Sequence, residues 1–322
     1  MILLGACAGW SLITAAAHGG RPEGILLAVL AVAAGYAAGR VSGALLPVAA
    51  PCAGAMAGLA LAVALPGLSA GPWYAGPVGH AGATAALLAL ATGAACGAAW
   101  ATKVPVLRLA LRVLACATVP AGVLLGSAAG CAAGAAVLLC SLAAGSARGR
   151  GRWLAGLAGA AGLVAVTIWA VAARALPDGL AGPVEGRFSA HRVGLWRDAL
   201  RLAERHGGLG IGPGRFGEPS PVRQRTPLGD ATAHSAPLQQ AAEQGLVGVL
   251  LLVAVFCWVL YALWRSPRST PVVLTAGAAL TALAALASVG NALSFTTVTA
   301  GAGLLAGWAT ARPWTGGGTA RP

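Results

Sequence analysis

The chain has 322 residues, of which 58% are hydrophobic and only 9% are charged, and its mean hydropathy is +0.79. A soluble domain carries roughly 25% charged residues, so this composition excludes a soluble protein and indicates an integral membrane protein. The formal net charge of +13 admits either a nucleic-acid partner or a membrane topology with basic loops on one side.

Apolar stretches that approach or reach the roughly 17 to 25 residues needed to cross a bilayer recur along the chain. They predict an all-α polytopic membrane protein with about ten transmembrane helices. The spans are at about 2 to 17, 24 to 39, 43 to 65, 82 to 100, 105 to 126, 128 to 145, 153 to 174, 245 to 264, 271 to 288 and 292 to 309. Seven spans form a membrane bundle at 1–174 and three form another at 245–311. The polar segment 175–244 separates the bundles, and 312–322 is a tail.

The basic residues alternate with the spans, as expected when Lys and Arg stay in cytoplasmic loops. With the amino terminus inside, eleven basic residues and no acid fall on the cytoplasmic side. The other side receives ten basic residues and all eight acids, so the net charge divides into +11 inside and +2 outside. We therefore expect both termini to be cytoplasmic, residues 175–244 to be extracytoplasmic, and no nucleic-acid partner.

The first span and the cysteines are both predicted to have structural roles. The first span resembles a signal peptide but lacks the basic segment that precedes one, so we expect it to be retained as a helix. All seven cysteines lie within predicted spans without a CxxC pair. We expect them to pack as small apolar residues rather than to form disulfides or a metal site.

The segment 175–244 holds seven of the eight carboxylates and three of the five histidines. Within it, Ser189 as N-cap, helical periodicity and a Gly207-Gly208 stop predict an amphipathic helix at about 190–206. At 100° per residue its apolar face groups Val193, Leu195, Trp196, Ala199, Leu200, Leu202 and Ala203. The opposite, solvated face would hold Arg197, Asp198, Arg201, Glu204 and Arg205.

Arg192 is the exception, because it falls inside the apolar arc, one turn from Trp196. We expect the apolar face to rest on the membrane surface. A guanidinium there either binds an anion such as a phosphate or extends back to the headgroup region.

Residues 207–217 read GGLGIGPGRFG. The stretch is neither a P-loop, since no Gly-Lys-Ser/Thr follows, nor a dinucleotide fingerprint, since no strand precedes it. Its glycines would permit a turn whose amides face an anion, but a flexible connector is favoured. Arg215 is the natural second cation, and Arg223 and Arg225 could approach the same anion or only water.

After this loop, Pro237 favours a helix start, and the apolar pattern predicts an unbroken helix of about 28 residues, or about 42 Å, ending near Trp264. His234 would lie just before the amino terminus of that helix, which favours binding or proton transfer to a hydroxyl. Gln239 and Glu243 would stand one turn apart on one face.

These motifs occur in a recognisable order: RVGLW from Arg192 to Trp196, then GLGIGPGRF, then His234 followed after about nine residues by EQGLVG. Over roughly 187 to 264, the chain resembles the O-antigen ligase and polymerase family. That family comprises polytopic glycosyltransferases acting on polyprenyl-diphosphate-linked sugars. The chain departs from it in having Ser235 where the family usually has Asn, and in being shorter with fewer spans.

The resemblance implies transfer of a glycan from an undecaprenyl-diphosphate-linked donor to a hydroxyl of a glycan, lipid or protein acceptor. The reaction would occur on the outer face of the cytoplasmic (inner) membrane, with no cofactor and no metal. Carried onto this chain, Arg192 would bind the diphosphate and His234 would activate the acceptor. Arg215 matches only a variable position, and Arg223, Arg225 and Glu243 are secondary candidates.

Two other classes stay open. A lipid-linked glycan flippase or transporter would favour ionisable groups near the bilayer midplane, and no Asp, Glu or His lies well inside a predicted span. A non-catalytic membrane subunit would need neither Arg192 nor His234.

Overall fold

A computed structural model describes residues 2–68, 81–177, 188–218 and 232–312, together with 179, 182 and 186, apart from the side chains of 65–68. These residues form eleven α-helices and a short 3-10 turn, Ala292–Ser294, and no strand occurs among them. The helices are α1 Ile2–His18, α2 Glu23–Leu45, α3 Ala49–Leu68, α4 Ala81–Ala101, α5 Pro105–Leu124, α6 Ala128–Ala144, α7 Arg150–Ala173, α8 Ala190–Arg205, α9 Ala236–Trp264, α10 Thr270–Val289 and α11 Thr296–Thr310.

The chain is a multi-pass helical membrane protein. Six helices are long and apolar enough to cross a bilayer: α2, α4, α5, α7, α9 and α10. Three shorter apolar helices, α1, α6 and the 49–64 part of α3, coincide with further predicted spans. The tenth predicted span corresponds to the 15-residue α11. The number of crossings remains a prediction.

α4 is the central helix. Every residue from Ala83 to Ala99 except Gly97 is buried, and α3, α5, α6, α10 and α11 all pack against it. Its surface is mostly alanine, which lets five neighbouring helices approach closely without large side chains to separate them.

α2 and α11 form the most extensive helix–helix contact within the described residues. Glycines four residues apart line the contact on both helices. A Cβ added at Gly39 would lie 2.3 Å from the Leu304 carbonyl oxygen, and one at Gly307 would lie 2.4 Å from that of Tyr36. The two backbones are therefore in direct contact, which only glycine permits here.

The predicted boundary between the second and third spans is wrong. We expected a break near residues 40 to 42, but α2 continues through Arg40 to Leu45. The helix ends at Leu46, which has the non-helical angles φ −128° and ψ 68°. Pro47 follows it, and a proline disfavours helical angles at the preceding residue. The charge of Arg40 suggested a loop, whereas the proline sets the end of the helix.

Different segments meet at the two ends of the bundle. At one end, Arg150 donates to the Ser266 carbonyl at 2.8 Å and Arg268 donates to that of Gly43 at 2.6 Å. These bonds join the ends of α2 and α9 to the start of α7. At the other end, the Arg21 amide donates to the Pro213 carbonyl at 2.7 Å, so the α1–α2 turn lies beside the segment 188–218.

Candidate functional site

The amphipathic helix is confirmed as α8. The Ser189 hydroxyl accepts from the Arg192 amide as N-cap, and His206 is the C-cap residue. The predicted apolar face is the inner face: Val193, Leu195, Trp196, Ala199, Leu200 and Leu202 are all buried. The local pattern was sufficient because the cap and the 3.6-residue period act within the helix itself.

The prediction that this face rests on the membrane surface is wrong. Instead of lying on the membrane surface, it packs on the protein, against Ile168 and Val171 of α7, Leu238 of α9, and Phe216. Phe188 contributes an edge-to-face contact with Trp196, with ring centroids 4.9 Å apart. α8 is therefore part of a folded unit over one end of the bundle.

Asp198 was predicted on the solvated face and is instead buried, with 5% of its side chain exposed. α8 contacts both α7 and α9, so its buried arc is wider than one apolar stripe and includes Asp198 at the edge. The Arg201 guanidinium lies 3.6 Å from the Asp198 carboxylate. That cation partly compensates the buried charge.

Arg192 occupies the first turn of α8 and is half-buried. Burial lowers the pKa of its guanidinium, because removal from water disfavours the charged form. Its backbone amide is bonded to Ser189, but no side chain or carbonyl of the described segments accepts a hydrogen bond from the guanidinium. A partly desolvated cation of this kind favours an anionic ligand.

His234 lies where the chain enters α9, and its backbone is left-handed, with φ 49°. The Trp196 indole N–H lies 3.4 Å from the His234 carbonyl oxygen, to which it donates. The structure thereby brings the His234 peptide to α8 at Trp196, which lies about one helical turn after Arg192 on the same helix. The imidazole is half-buried.

α9 is not the unbroken helix that we predicted. Gly245 has φ 65° and ψ −163°, which are angles that glycine adopts readily and other residues do not. The break frees backbone groups on both sides, and several of these have partners from other segments. Trp10 of α1 donates its indole N–H to the Gln244 carbonyl at 3.1 Å, and the Leu246 amide donates to that of Gly207 at 3.2 Å.

The glycine-rich stretch packs on this break and is not a flexible connector. The Ile211 and Gly212 amides each donate, at 3.0 Å, to the carbonyls of Ala242 and Glu243 respectively. A Cβ on Gly210 would lie 2.4 Å from the Glu243 carbonyl oxygen. The glycines are needed because two backbones meet here, which periodicity within either segment does not reveal.

Glu243 is buried, with 4% of its surface exposed. Its carboxylate accepts from the Gly214 amide at 3.0 Å, from the Phe216 amide, and from the Gln239 side chain at 3.2 Å. The predicted one-turn pairing of Gln239 with Glu243 is thus confirmed. Two amides of the glycine stretch therefore donate to the protein's own Glu243 side chain and not to a bound anion.

Arg215 is already engaged. Its guanidinium forms an ion pair at 2.8 Å with Glu218 and donates to the His18 carbonyl, which ties the loop to the end of α1. Arg223 and Arg225 lie outside the described residues. Within those residues, no three His, Cys, Asp or Glu side chains cluster as metal ligands would.

The sequence interpretation missed a set of polar groups just before α9 and in its first turns. Thr232 Oγ1, Ser235 Oγ, Gln240 Oε1 and Gln244 Nε2 are buried and have no hydrogen-bond partner in the described parts of the chain. Gln240 and Gln244, four residues apart at the start of an apolar helix, were the available signal. Buried polar groups usually have a partner, so these atoms are candidates to contact a polar ligand.

No model of a protein family matches the chain, and none of the curated proteins or solved structures is significantly similar to it.

Proposed function

We propose that the chain is a membrane glycosyltransferase of the O-antigen ligase and polymerase type. It transfers a glycan from an undecaprenyl-diphosphate-linked donor to an acceptor hydroxyl in surface polysaccharide assembly. The observation that supports this most is the hydrogen bond from Trp196 to the His234 carbonyl. It joins the Arg-Trp motif to the His motif, which are separated in the sequence but belong together in the proposed reaction.

Arg192 is proposed to bind the donor diphosphate. The leaving diphosphate gains negative charge as the glycosidic bond breaks, and a guanidinium stabilises it through charge-assisted hydrogen bonds. Its half-buried position strengthens that interaction relative to a fully solvated arginine. Arg215 is a weaker second candidate, because a diphosphate there would have to displace Glu218.

His234 is proposed as the general base. The acceptor oxygen attacks the anomeric carbon, the bond from that carbon to the diphosphate oxygen breaks, and the acceptor proton passes to the imidazole. Histidine suits this step because it can be neutral at physiological pH. The buried polar atoms of Ser235, Gln240 and Gln244 would contact sugar hydroxyls nearby.

The same proposal includes the membrane topology. About ten spans hold the lipid tail of the donor within the bilayer. The end of the bundle that carries α8, the glycine stretch and His234 faces outward, and both termini lie in the cytoplasm. The membrane is the cytoplasmic (inner) membrane, where polyprenyl-linked donors are used.

Deleting the gene and analysing lipid-linked oligosaccharides tests this function. We expect the donor to accumulate, and we expect complementation by wild type and by the Arg205→Ala variant but not by Arg192→Ala. Arg205 is a matched control, since it lies exposed on the same helix.

Unchanged lipid pools and surface glycans in the deletion strain would contradict the proposal and favour a non-catalytic subunit. Donor that accumulates but stays out of reach of a membrane-impermeant lectin in spheroplasts would indicate a flippase instead. Donor that the lectin reaches supports the transferase.

A further inference from the structure

A cavity of about 290 Å³ opens at the end of the bundle opposite α8. It lies between α2, α9 and α11. Its lining includes the three arginines Arg40, Arg265 and Arg312 and the hydroxyl side chains of Tyr36, Ser266 and Thr310. Cations and hydrogen-bond donors from three separate helices therefore converge on one space.

Among the described residues, no side-chain carboxylate forms an ion pair with these arginines. The eight acids of the chain are Glu23, at the far end of α2, and seven residues between 178 and 243. Arg40 is 17 residues from Glu23, or about 25 Å along a helix. Across the described ranges, no acid or carbonyl accepts a hydrogen bond from the three guanidinium groups.

The frame of the cavity is well fixed. The glycine contacts between α2 and α11 hold Tyr36 and Arg40 beside the end of α11. The Thr310 hydroxyl donates to the Tyr36 hydroxyl oxygen at 3.2 Å, and the Ser266 hydroxyl donates to the Ala309 carbonyl at 2.6 Å. α9 and α11 both end here, and the negative ends of their dipoles favour cations at this position.

We infer that this cavity is a binding site for a phosphate group, as carried by an anionic phospholipid or by a soluble phosphate compound. Arginines that only reach for the bilayer surface would spread over separate outward faces. Here three arginines line one cavity at the ends of α2, α9 and α11, where they can form charge-assisted contacts with phosphate oxygens. The site is independent of the proposed transferase chemistry.

Thermal unfolding of the purified full chain in a neutral detergent tests the site, with phosphatidylglycerol, phosphatidylcholine or sodium pyrophosphate added. We expect one of the two phosphate anions to raise Tm in a saturable way that weakens with salt, while phosphatidylcholine does not. A shift with phosphatidylglycerol alone assigns a lipid headgroup. A shift with pyrophosphate, with or without one from phosphatidylglycerol, assigns a soluble phosphate ligand.

The double variant Arg265→Gln and Arg312→Gln should weaken the apparent affinity roughly tenfold or more, as expected for losing charge-assisted hydrogen bonds. The control is Arg148→Gln with Arg152→Gln, which removes the same charge from exposed positions before and within α7. No shift with either anion, or equal affinities in the two double variants, would overturn the site. If the cavity double variant does not fold, Arg312→Glu replaces it, and a wild-type affinity in that variant overturns the site equally.

Discussion

At the scale of single residues, the backbone of His234 is the most unusual feature of the candidate site. A positive φ is uncommon for any residue with a side chain, although His and Asn adopt it more readily than most. The φ of 49° places the imidazole just before α9 while the carbonyl faces Trp196. Strain of about 1 to 3 kcal/mol at such a position is typical of functional sites.

Replacing His234 by Asn or by Gly separates the role of the ring from that of the backbone. Both residues tolerate the left-handed conformation, so we expect Tm to stay within a few degrees of wild type. Glycan transfer should fall by about 10² to 10⁴, the usual contribution of a general base. Transfer measured with a lipid-linked donor checks this, and near-normal turnover by His234→Gly would exclude the imidazole as the base.

Glu243 contributes stability through the hydrogen bonds that its side chain accepts from amide groups. In Glu243→Gln, the amide nitrogen of the new side chain cannot accept, so one buried donor loses its partner. We expect a loss of about 1 to 3 kcal/mol in the free energy of unfolding, measured by thermal unfolding in detergent. Glu204→Gln is the control, because Glu204 is exposed on α8. An equal Tm for both variants would show that the Glu243 bonds are not important.

At the scale of elements, the break in α9 organises the site. It divides the helix at Gly245, and the glycine-rich stretch, α1 and the start of α9 all bond to the freed groups. The helix start at Pro237 and the pairing of Gln239 with Glu243 were predictable, since both depend on neighbours within one helix. The break was not predictable. A glycine at the start of an apolar run gives the same local pattern whether or not another segment packs against it.

Gly245→Ala tests the importance of the break. The added Cβ would lie 2.4 Å from the Gly208 carbonyl oxygen at a positive φ, so we expect a destabilisation of about 1 to 3 kcal/mol or more. Gly156→Ala in α7 is the matched control, because its Cβ meets nothing within 4 Å and alanine favours a helix. Thermal unfolding distinguishes them, and an unchanged Tm for Gly245→Ala would mean that the segments can separate at little cost.

In the whole molecule, several arginines gather at one end of the bundle. The ends of α2, α9 and α11 and the start of α7 meet at the end where Arg150, Arg265 and Arg268 lie, whereas the α1–α2 turn joins α8 and the glycine stretch at the other. That the first of these ends faces the cytoplasm, as the alternation of basic residues indicates, stays a prediction.

Cysteine labelling checks the orientation. In a background with the seven native cysteines replaced by alanine, Glu204→Cys and Arg148→Cys place a thiol at exposed positions on the two opposite ends. We expect a membrane-impermeant maleimide to label the first in intact cells and the second only after lysis. The reverse pattern would invert the topology and contradict an extracytoplasmic transferase.

Hydropathy, periodicity and capping predicted the membrane class, most helix positions, the apolar face of α8 and its N-cap, because they act between residues a few positions apart. Four features became visible in the folded chain alone: what that face packs on, the burial of Asp198, the break of α9 at Gly245, and the cavity shared by Arg40, Arg265 and Arg312. Each of these depends on contacts between segments distant in the chain. A local pattern shows that an apolar helix face must be buried. Which segment buries it depends on how the whole bundle packs.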